Sequence, residues 1–551
     1  MRFAVALTIA AFVAGVAGAG PSAAASAALR PFGAKNVTFV GHGWGPAWGL
    51  AQWGAFGYAA ALHEPYQWIL SHYYPGTTPS LLTRAADARV VKVSIEENAG
   101  APVMVTSSSA FTMLIGARKL HVPAGTVVRS VLAARGAQAG TWTVAEASAC
   151  DQTDGWKVVA RDAPDPLAVP ASRAATAPES ELLQLCRADG VIVTYRGSIE
   201  AFDYYGPSTG DVHLARTLNL VPLEQYVADV TPTESPSGWG SLPTGSTGGQ
   251  GEAYGFQELE AQAVAVRTYV LAQIAAGGWY GYADICDDVC QGYTSGAGYE
   301  NTLTTLAARD TAGRILLLNG LPAPTQYASS SGGYTGGSPA FQPVVDKGDA
   351  VCLKGAGPLG CNPWHTWTAS VPVTQIEAAF PEVGTLADVK VTSRNSLGAY
   401  GGRVLEIEVT GVAGASTTVT GNAWAADFNL SSNWFALTDG PSATAKAPTS
   451  RAASAAPPEG AGLRRSPYRS VPGCQPPVGP VGRGRGLPAS LAQGAPASSG
   501  RAGGARLPVL SGWTAIEEGG WTSGTSCTST APSWSPAAST RSRSSTPPPK
   551  R

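Results

Sequence analysis

Apolar and polar positions change period several times along the chain. Between residues 88 and 200, the runs 90–95, 127–132 and 191–195 are rich in Val and Ile and are separated by Gly, Pro and Asp, the pattern of strands. An Ala/Pro-rich run, 162–178, predicts a loop inside this region. Residues 200–440 carry both periods, with helices predicted over 223–230, 257–275 and 302–311 and strands over 315–318, 389–392 and 404–409. Ahead of these, a Gly/aromatic segment, Gly41-His42-Gly43-Trp44-Gly45 and then Gly49 to Ala55, leads into a further helix over 65–74, with Trp68, Ile69 and Tyr73 as its apolar positions. Beyond about residue 441 periodicity gives way to Pro, Ser, Ala, Gly and Arg, a composition that predicts disorder. The expected fold class is α+β: a mixed core of sheet and helix, an N-terminal β-rich region and a disordered C-terminal tail.

Composition sharpens this outline. Charged residues make up 14% of the chain, against 67 Gly and 42 Pro, which suits a loop-rich secreted protein and argues against long helical bundles. The net charge of −1 averages two unlike parts: residues 441–551 hold 13 Lys/Arg and 3 Asp/Glu, residues 1–440 hold 24 and 35. An acidic body gives no support for nucleic-acid binding. The basic tail, with Cys474 and Cys527, has two open readings: a segment that associates with anionic wall polymers, or GC-rich sequence read out of frame.

The first 27 residues read as a secretory signal. Arg2 is followed by an apolar stretch, 3–16, and by small residues at Ala23-Ala24-Ala25-Ser26-Ala27. The stretch is short and interrupted by Gly, so export with cleavage is expected rather than anchoring, leaving a secreted or wall-bound chain with no membrane partner. Eight cysteines in an exported chain favour disulfides. Proximity suggests Cys286 with Cys290, Cys352 with Cys361, and Cys150 with Cys186. A zinc reading of Cys286 and Cys290 stays open, but it lacks further ligands, since no His lies between or beside them. No metal site is assigned.

Candidate chemistry concentrates in two stretches. In the first, Glu234 stands alone between Pro232 and Pro236, in what the pattern predicts to be a turn. Partial burial there would raise its pKa towards acid duty. The second, Glu260 to Tyr269, is an Ala-rich helix presenting Gln262, Arg267 and Tyr269. Gln262 and Tyr269 are seven apart and share a face. The separation of Glu234 from Arg267 includes a Gly/Ser/Thr-rich insertion, 238–255, which a surface loop can absorb at low entropic cost.

These stretches belong to an ordered set. It runs from Arg216-Thr217-Leu218-Asn219 and Leu223-Glu224-Gln225-Tyr226 to Thr233-Glu234-Ser235-Pro236 and then Ala261 to Tyr269. Cys290-Gln291-Gly292-Tyr293, Thr311 to Leu316, and Tyr327-Ala328-Ser329-Ser330-Ser331-Gly332-Gly333-Tyr334-Thr335 complete it. In this order the blocks resemble the sporulation stage II protein D family, which includes amidase-enhancer proteins of bacterial cell-wall metabolism. The likeness covers 190–440, and the chain divides on this reading into the signal 1–27, a Gly/Trp-rich segment 28–80 packing on the core, a β-rich region 81–189, the core 190–440 and the tail 441–551.

The resemblance implies a lytic transglycosylase that cleaves the β-1,4 bond between N-acetylmuramic acid and N-acetylglucosamine, with the muramyl 6-hydroxyl attacking in place of water. One carboxyl group can serve both proton transfers, and Glu234 matches the family's catalytic residue. No cofactor is required. The partners implied are peptidoglycan glycan strands and a cell-wall amidase. The alternative function is a non-catalytic glycan-binding enhancer of an N-acetylmuramoyl-L-alanine amidase, and a third is a surface adhesin.

Arg267 matches a functional arginine of the family, free to orient the carboxylate, to bind the glycan, or to form a structural salt bridge with Glu260 or Glu224. Gln262, Tyr269, Ser330 and Ser331 are candidate substrate contacts. The N-terminal segment also resembles a family element, displaced to precede the core as in actinobacterial members. Gln52, Gly54 and Ala55 persist in it, while Pro46-Ala47-Trp48 and Leu50-Ala51 depart from the pattern. Gln52 and His42 are its candidate glycan contacts. Trp44, Trp48, Trp53, Trp364 and Trp367 suit sugar stacking but more often build cores. His365 is read as structural.

Overall fold

The computed structural model describes residues 29–135, 138–206, 212–246 and 252–444. The signal segment, Cys474, Cys527 and the tail from 445 lie outside the described residues. The helices are α1 (Gln52–Leu62), α2 (Tyr66–Tyr73), α3 (Arg84–Asp87), α4 (Leu223–Glu234), α5 (Phe256–Ala275), α6 (Thr302–Asp310), α7 (Val373–Ala379) and α8 (Gly421–Asp427). With the sheets described next, they make the fold α+β.

Strand Leu214–Pro222 organises the centre. Ala215, Thr217, Asn219 and Val221 are buried on one face, Leu218 is buried on the other, and both edges of the strand are paired. Ser198–Tyr204 and Val90–Ser94 flank it antiparallel, and Ile285–Cys286 adds parallel to Val90–Ser94. Beyond Ser198–Tyr204 the sheet continues through Leu167–Val169, Phe111–Ile115 and Arg118–Val122. A second, antiparallel sheet of six strands runs from Lys157–Ala163 to Ile192–Tyr195.

Two expectations change here. The region 81–189 is not a unit apart: its strand Val90–Ser94 is hydrogen-bonded to Leu214–Pro222. Val105, Val128 and Trp142 of the six-stranded sheet also share one apolar core with Tyr226 and Val227 of α4 and Val266 of α5. Alternation within each strand was legible, whereas long-range pairing leaves no local trace. The expected loop 162–178 contains a short strand, Leu167–Val169, that fills the gap between Phe111–Ile115 and Ser198–Tyr204.

Helix α5 is buried on all sides along most of its length, as an Ala/Val-rich helix in the middle of a packed body must be. It packs on α1, α2, α4 and α6. The Gly/Trp-rich segment meets the body twice. Its α1 lies on α5, with Ala55 and Ala59 against Ala261 and Ala265. Its first strand, Asn36–Gly41, sits between Trp367–Pro372 and Phe435–Leu437. Phe39, Val389, Ile407 and Trp424 belong to the separate core beneath that sheet.

Disulfides join Cys150 to Cys186, Cys286 to Cys290 and Cys352 to Cys361. Among the described residues no group of three or more His, Cys, Asp or Glu could hold a metal ion. No described helix is long and apolar enough to cross a membrane.

Candidate active site

Glu234 is the last residue of α4, not a turn residue. Pro232 falls in the final turn, where a missing N–H costs less than in mid-helix. Hydroxyls help to satisfy the carbonyls there: Thr231 Oγ1 donates to Val227 O at 2.7 Å and Thr233 Oγ1 to Asp229 O at 3.3 Å. The backbone N–H of Ser235 closes the helix on Thr231 O at 2.9 Å. A carboxylate at a helix C-terminus meets the negative end of the dipole, which disfavours its charge.

The Glu234 carboxyl is held by donors from three distant segments. The backbone N–H of Gly292 donates to Oε1 at 2.6 Å, and Gln52 Nε2, at the start of α1, donates to Oε2 at 3.5 Å. The Tyr327 hydroxyl is the third. It accepts from Gln291 Nε2 at 3.0 Å, and Gln291 Oε1 accepts from the Tyr226 hydroxyl at 2.6 Å, so a directed chain of bonds ends at Glu234. Gly292 is required by contact: a Cβ there would stand 2.9 Å from Thr233 Cγ2 and 3.0 Å from Glu234 Oε1. Burial pushes the Glu234 pKa up, and the three hydrogen bonds only partly oppose it. No cation accompanies this carboxyl among its partners.

Arg267 is elsewhere. Its side chain is fully buried, and its Nε and Nη2 grip Glu224 Oε1 and Oε2 at 2.7 and 2.6 Å. Its other N–H groups go to the carbonyls of Ala263, Arg314 and Ala308. A guanidinium has five N–H donors, and all five are engaged here. Of the openings left by the sequence, the geometry corresponds to the salt bridge with Glu224, which ties α4, α5 and α6 together. Helical phase explains why: five residues after Gln262 is about 140° around α5.

The opposite face of α5 points the other way. Ser235, next to Glu234, donates from Oγ to Glu258 Oε1 at 2.7 Å. Glu258 is fully buried and burial pushes its pKa up to about 8, so it is held protonated. Gln262 is one turn further on, also fully buried, and neither amide atom has a partner among the described residues. Tyr269 continues the face, with its ring 6.4 Å from that of Tyr327.

The insertion does not simply loop away. Gly255 N–H bonds to Leu242 O at 2.8 Å, closing its neck. Trp239 is buried and stacks on Phe56 of α1 at 4.6 Å, with Trp53 edge-on at 4.9 Å. Trp53 is thus a core residue.

Ser330, Ser331 and His42 form a second cluster. Ser330 Oγ and Ser331 N–H both donate to Asp349 Oδ1 at 2.8 Å, and Ser331 Oγ donates to Asp346 Oδ2 at 2.7 Å. The hydroxyls face buried carboxylates and are themselves buried, so they brace the loop from within. His42 Nδ1 bonds to His365 O at 3.2 Å.

Residues 213–318 match the family described as SpoIID, Stage II sporulation protein. The match covers less than half of the chain. No curated protein and no solved structure matches the chain. The SpoIID segment holds α4, α5, α6, Gly292 and strand Arg314–Leu318, and therefore Glu234, Gln262, Arg267 and Tyr269. Gln52, Tyr327 and the serine loop reach Glu234 or its surroundings from outside it. Gln291, Gly292 and Tyr327 lie in the family-like blocks, where residue type alone does not mark them as partners of Glu234. Glu258 carried no more local signal than an acid in the first turn of a predicted helix.

Proposed function

We propose that this protein is a peptidoglycan lytic transglycosylase in which Glu234 serves as both general acid and general base. The SpoIID segment makes a cell-wall-related function the coarse conclusion. The observation that carries the finer reading is a single carboxyl, raised in pKa by burial, held by three neutral donors and by no cation.

In the first step protonated Glu234 gives its proton to the glycosidic oxygen as the bond from muramyl C1 breaks, freeing the N-acetylglucosaminyl hydroxyl. The resulting carboxylate is steadied by the Gly292 N–H, the Gln52 amide and the Tyr327 hydroxyl, each of which favours the charged form. It then takes the proton of the muramyl 6-hydroxyl as that oxygen bonds to C1, closing the 1,6-anhydro ring and restoring the acid. No water is consumed. The paired carboxylates of ordinary glycosidases are not needed.

The experiment is digestion of denuded glycan strands, with product ends identified by mass spectrometry. Wild type is expected to give 1,6-anhydro ends and Glu234→Gln none. Reducing ends would show hydrolysis, and binding without products would leave a non-catalytic glycan-binding role.

A further inference from the structure

The loop that brings Tyr327 to Glu234 continues into a second polar centre that the reaction above does not use. Asp349 is fully buried and accepts from Ser330 Oγ, Ser331 N–H and, at 2.7 Å, His365 Nδ1. This bond fixes the His365 tautomer, with hydrogen on Nδ1 and a lone pair on Nε2, as a carboxylate orients the imidazole of a proton-handling pair. The His365 side chain is about a third exposed, and its Nε2 has no hydrogen-bond partner among the described residues.

Two more rings stand beside it. His42 lies with its ring 5.9 Å from His365, edge to face, and donates from Nδ1 to the His365 carbonyl. Tyr400 lies 5.6 Å from His42 and is exposed. It sits at φ 57°, a left-handed conformation that an aromatic residue adopts only at a cost of about 1–2 kcal/mol. Such strain persists where the surroundings impose it, commonly at binding sites. Gly332 and Gly333 run past both imidazoles, and a Cβ on Gly332 would meet His42 Cβ at 2.7 Å. The same loop carries Tyr327 six residues earlier, so the two centres lie within roughly 20 Å by chain length.

We propose that His365, oriented by Asp349, forms with His42 and Tyr400 an accessory sugar-binding subsite of the groove served by Glu234. His365 Nε2 accepts a hydrogen bond from a glycan hydroxyl, and the exposed face of Tyr400 takes a sugar ring. An oriented imidazole beside an exposed aromatic provides both parts of carbohydrate recognition, a directional polar contact and a flat apolar one. The proposal rests on the glycan-strand reading of Glu234. His365 is a positioning residue here, since the bond that breaks is at Glu234.

The groups facing His365 are Asp349, His42 and, behind them, Asp346 and the buried Arg403, whose Nη2 donates to Ser331 O at 3.1 Å. Burial holds His42 below the ordinary histidine range.

The test uses the full chain in the Glu234→Gln background, where substrate is not consumed, and measures binding of long denuded glycans and of a single disaccharide repeat. His365→Ala and Tyr400→Ala are each expected to weaken long-glycan binding about tenfold and to lower the long-to-short affinity ratio by a similar factor. Tyr400→Phe should restore most of the loss. Equal losses on both ligands, or no loss on the long one, overturn the subsite. Failure of the catalytic reading would show separately, as wild type that yields no anhydro ends while long-glycan binding still depends on His365.

Discussion

The two ends of α4 carry the same residue type in opposite circumstances. Glu224, in the first turn, faces a guanidinium whose every donor is used on it or on carbonyls nearby. Glu234, in the last turn, faces an amide, a backbone N–H and a phenol, at the end of the helix where negative charge is least welcome. The first is committed to a structural pair with Arg267. The second can hold a proton or release it with modest help either way, which is what a group serving successively as acid and base requires. An arginine close to a glutamate in sequence is thus no guide to which glutamate it serves.

The largest effects should separate these ends cleanly. Glu234→Gln is expected to cut anhydro-product formation by about 10²- to 10⁴-fold with an unchanged midpoint of chemical denaturation. Arg267→Ala should do the reverse, costing about 3–5 kcal/mol of stability in denaturant titration, because it strands Glu224 and three carbonyls. If Arg267→Ala instead left stability intact and abolished turnover, the contrast would collapse.

Smaller perturbations sharpen it. Gly292→Ala forces a methyl against Glu234 Oε1 and Thr233 Cγ2, and a strain of about 1–3 kcal/mol should appear mainly as reduced kcat, since it bears on the carboxyl proposed to react.

Glu258 supplies a pH signature. Its folded-state pKa, about 8, lies above the unfolded carboxyl value, so its contribution is fully present below that unfolded value and is lost as pH rises through about 8. Asp287, also fully buried and raised to about 8 by burial, acts in the same direction. The melting temperature should therefore fall between pH 5 and pH 8, and the fall should be shallower in Glu258→Gln.

The mildest change is Gln52→Ala, with a loss of about threefold to tenfold. Because the amide favours the charged form of Glu234, its removal should move the alkaline limb of the pH–rate profile upward. A downward shift would mean that Gln52 does not act on the carboxyl.

Much of this was legible in the chain, for identifiable reasons. The helices over 257–275 and 302–311 differ from α5 and α6 by a residue at one end, since periodicity and composition agree there. The strands over 90–95, 315–318 and 404–409 lie within a residue or two of those observed. Gln52 was expected to contact glycan; the structure instead sets its amide against Glu234, 182 residues away, a pairing that its motif did not indicate. Other features were not readable. Pro232 suggested a turn because proline usually stops helices, but in the last turn the threonine hydroxyls and the Ser235 N–H complete the hydrogen bonding. Arg267 could have been excluded from the Glu234 side by following the helical phase that groups Gln262 with Tyr269. His365 gave no sign of its carboxylate partner because Asp349 lies across a disulfide-closed excursion from Cys352 to Cys361.

Strand Asn36–Gly41 has one further consequence, in the order of assembly. Its neighbours on either side are Trp367–Pro372 and Phe435–Leu437, and strand Leu50–Ala51, which delivers Gln52, is paired with Tyr327–Ala328. These contacts close very long loops, and contacts of that separation are slow to form. A chain emerging from synthesis has its acid-bearing helix long before it has the residues that complete the N-terminal sheet. Until residue 437 has been added, one edge of strand Asn36–Gly41 is bare, and until residue 328 has been added strand Leu50–Ala51 has no partner. Gln52, the first made of the residues bonded to Glu234, is thus seated no earlier than Tyr327–Ala328.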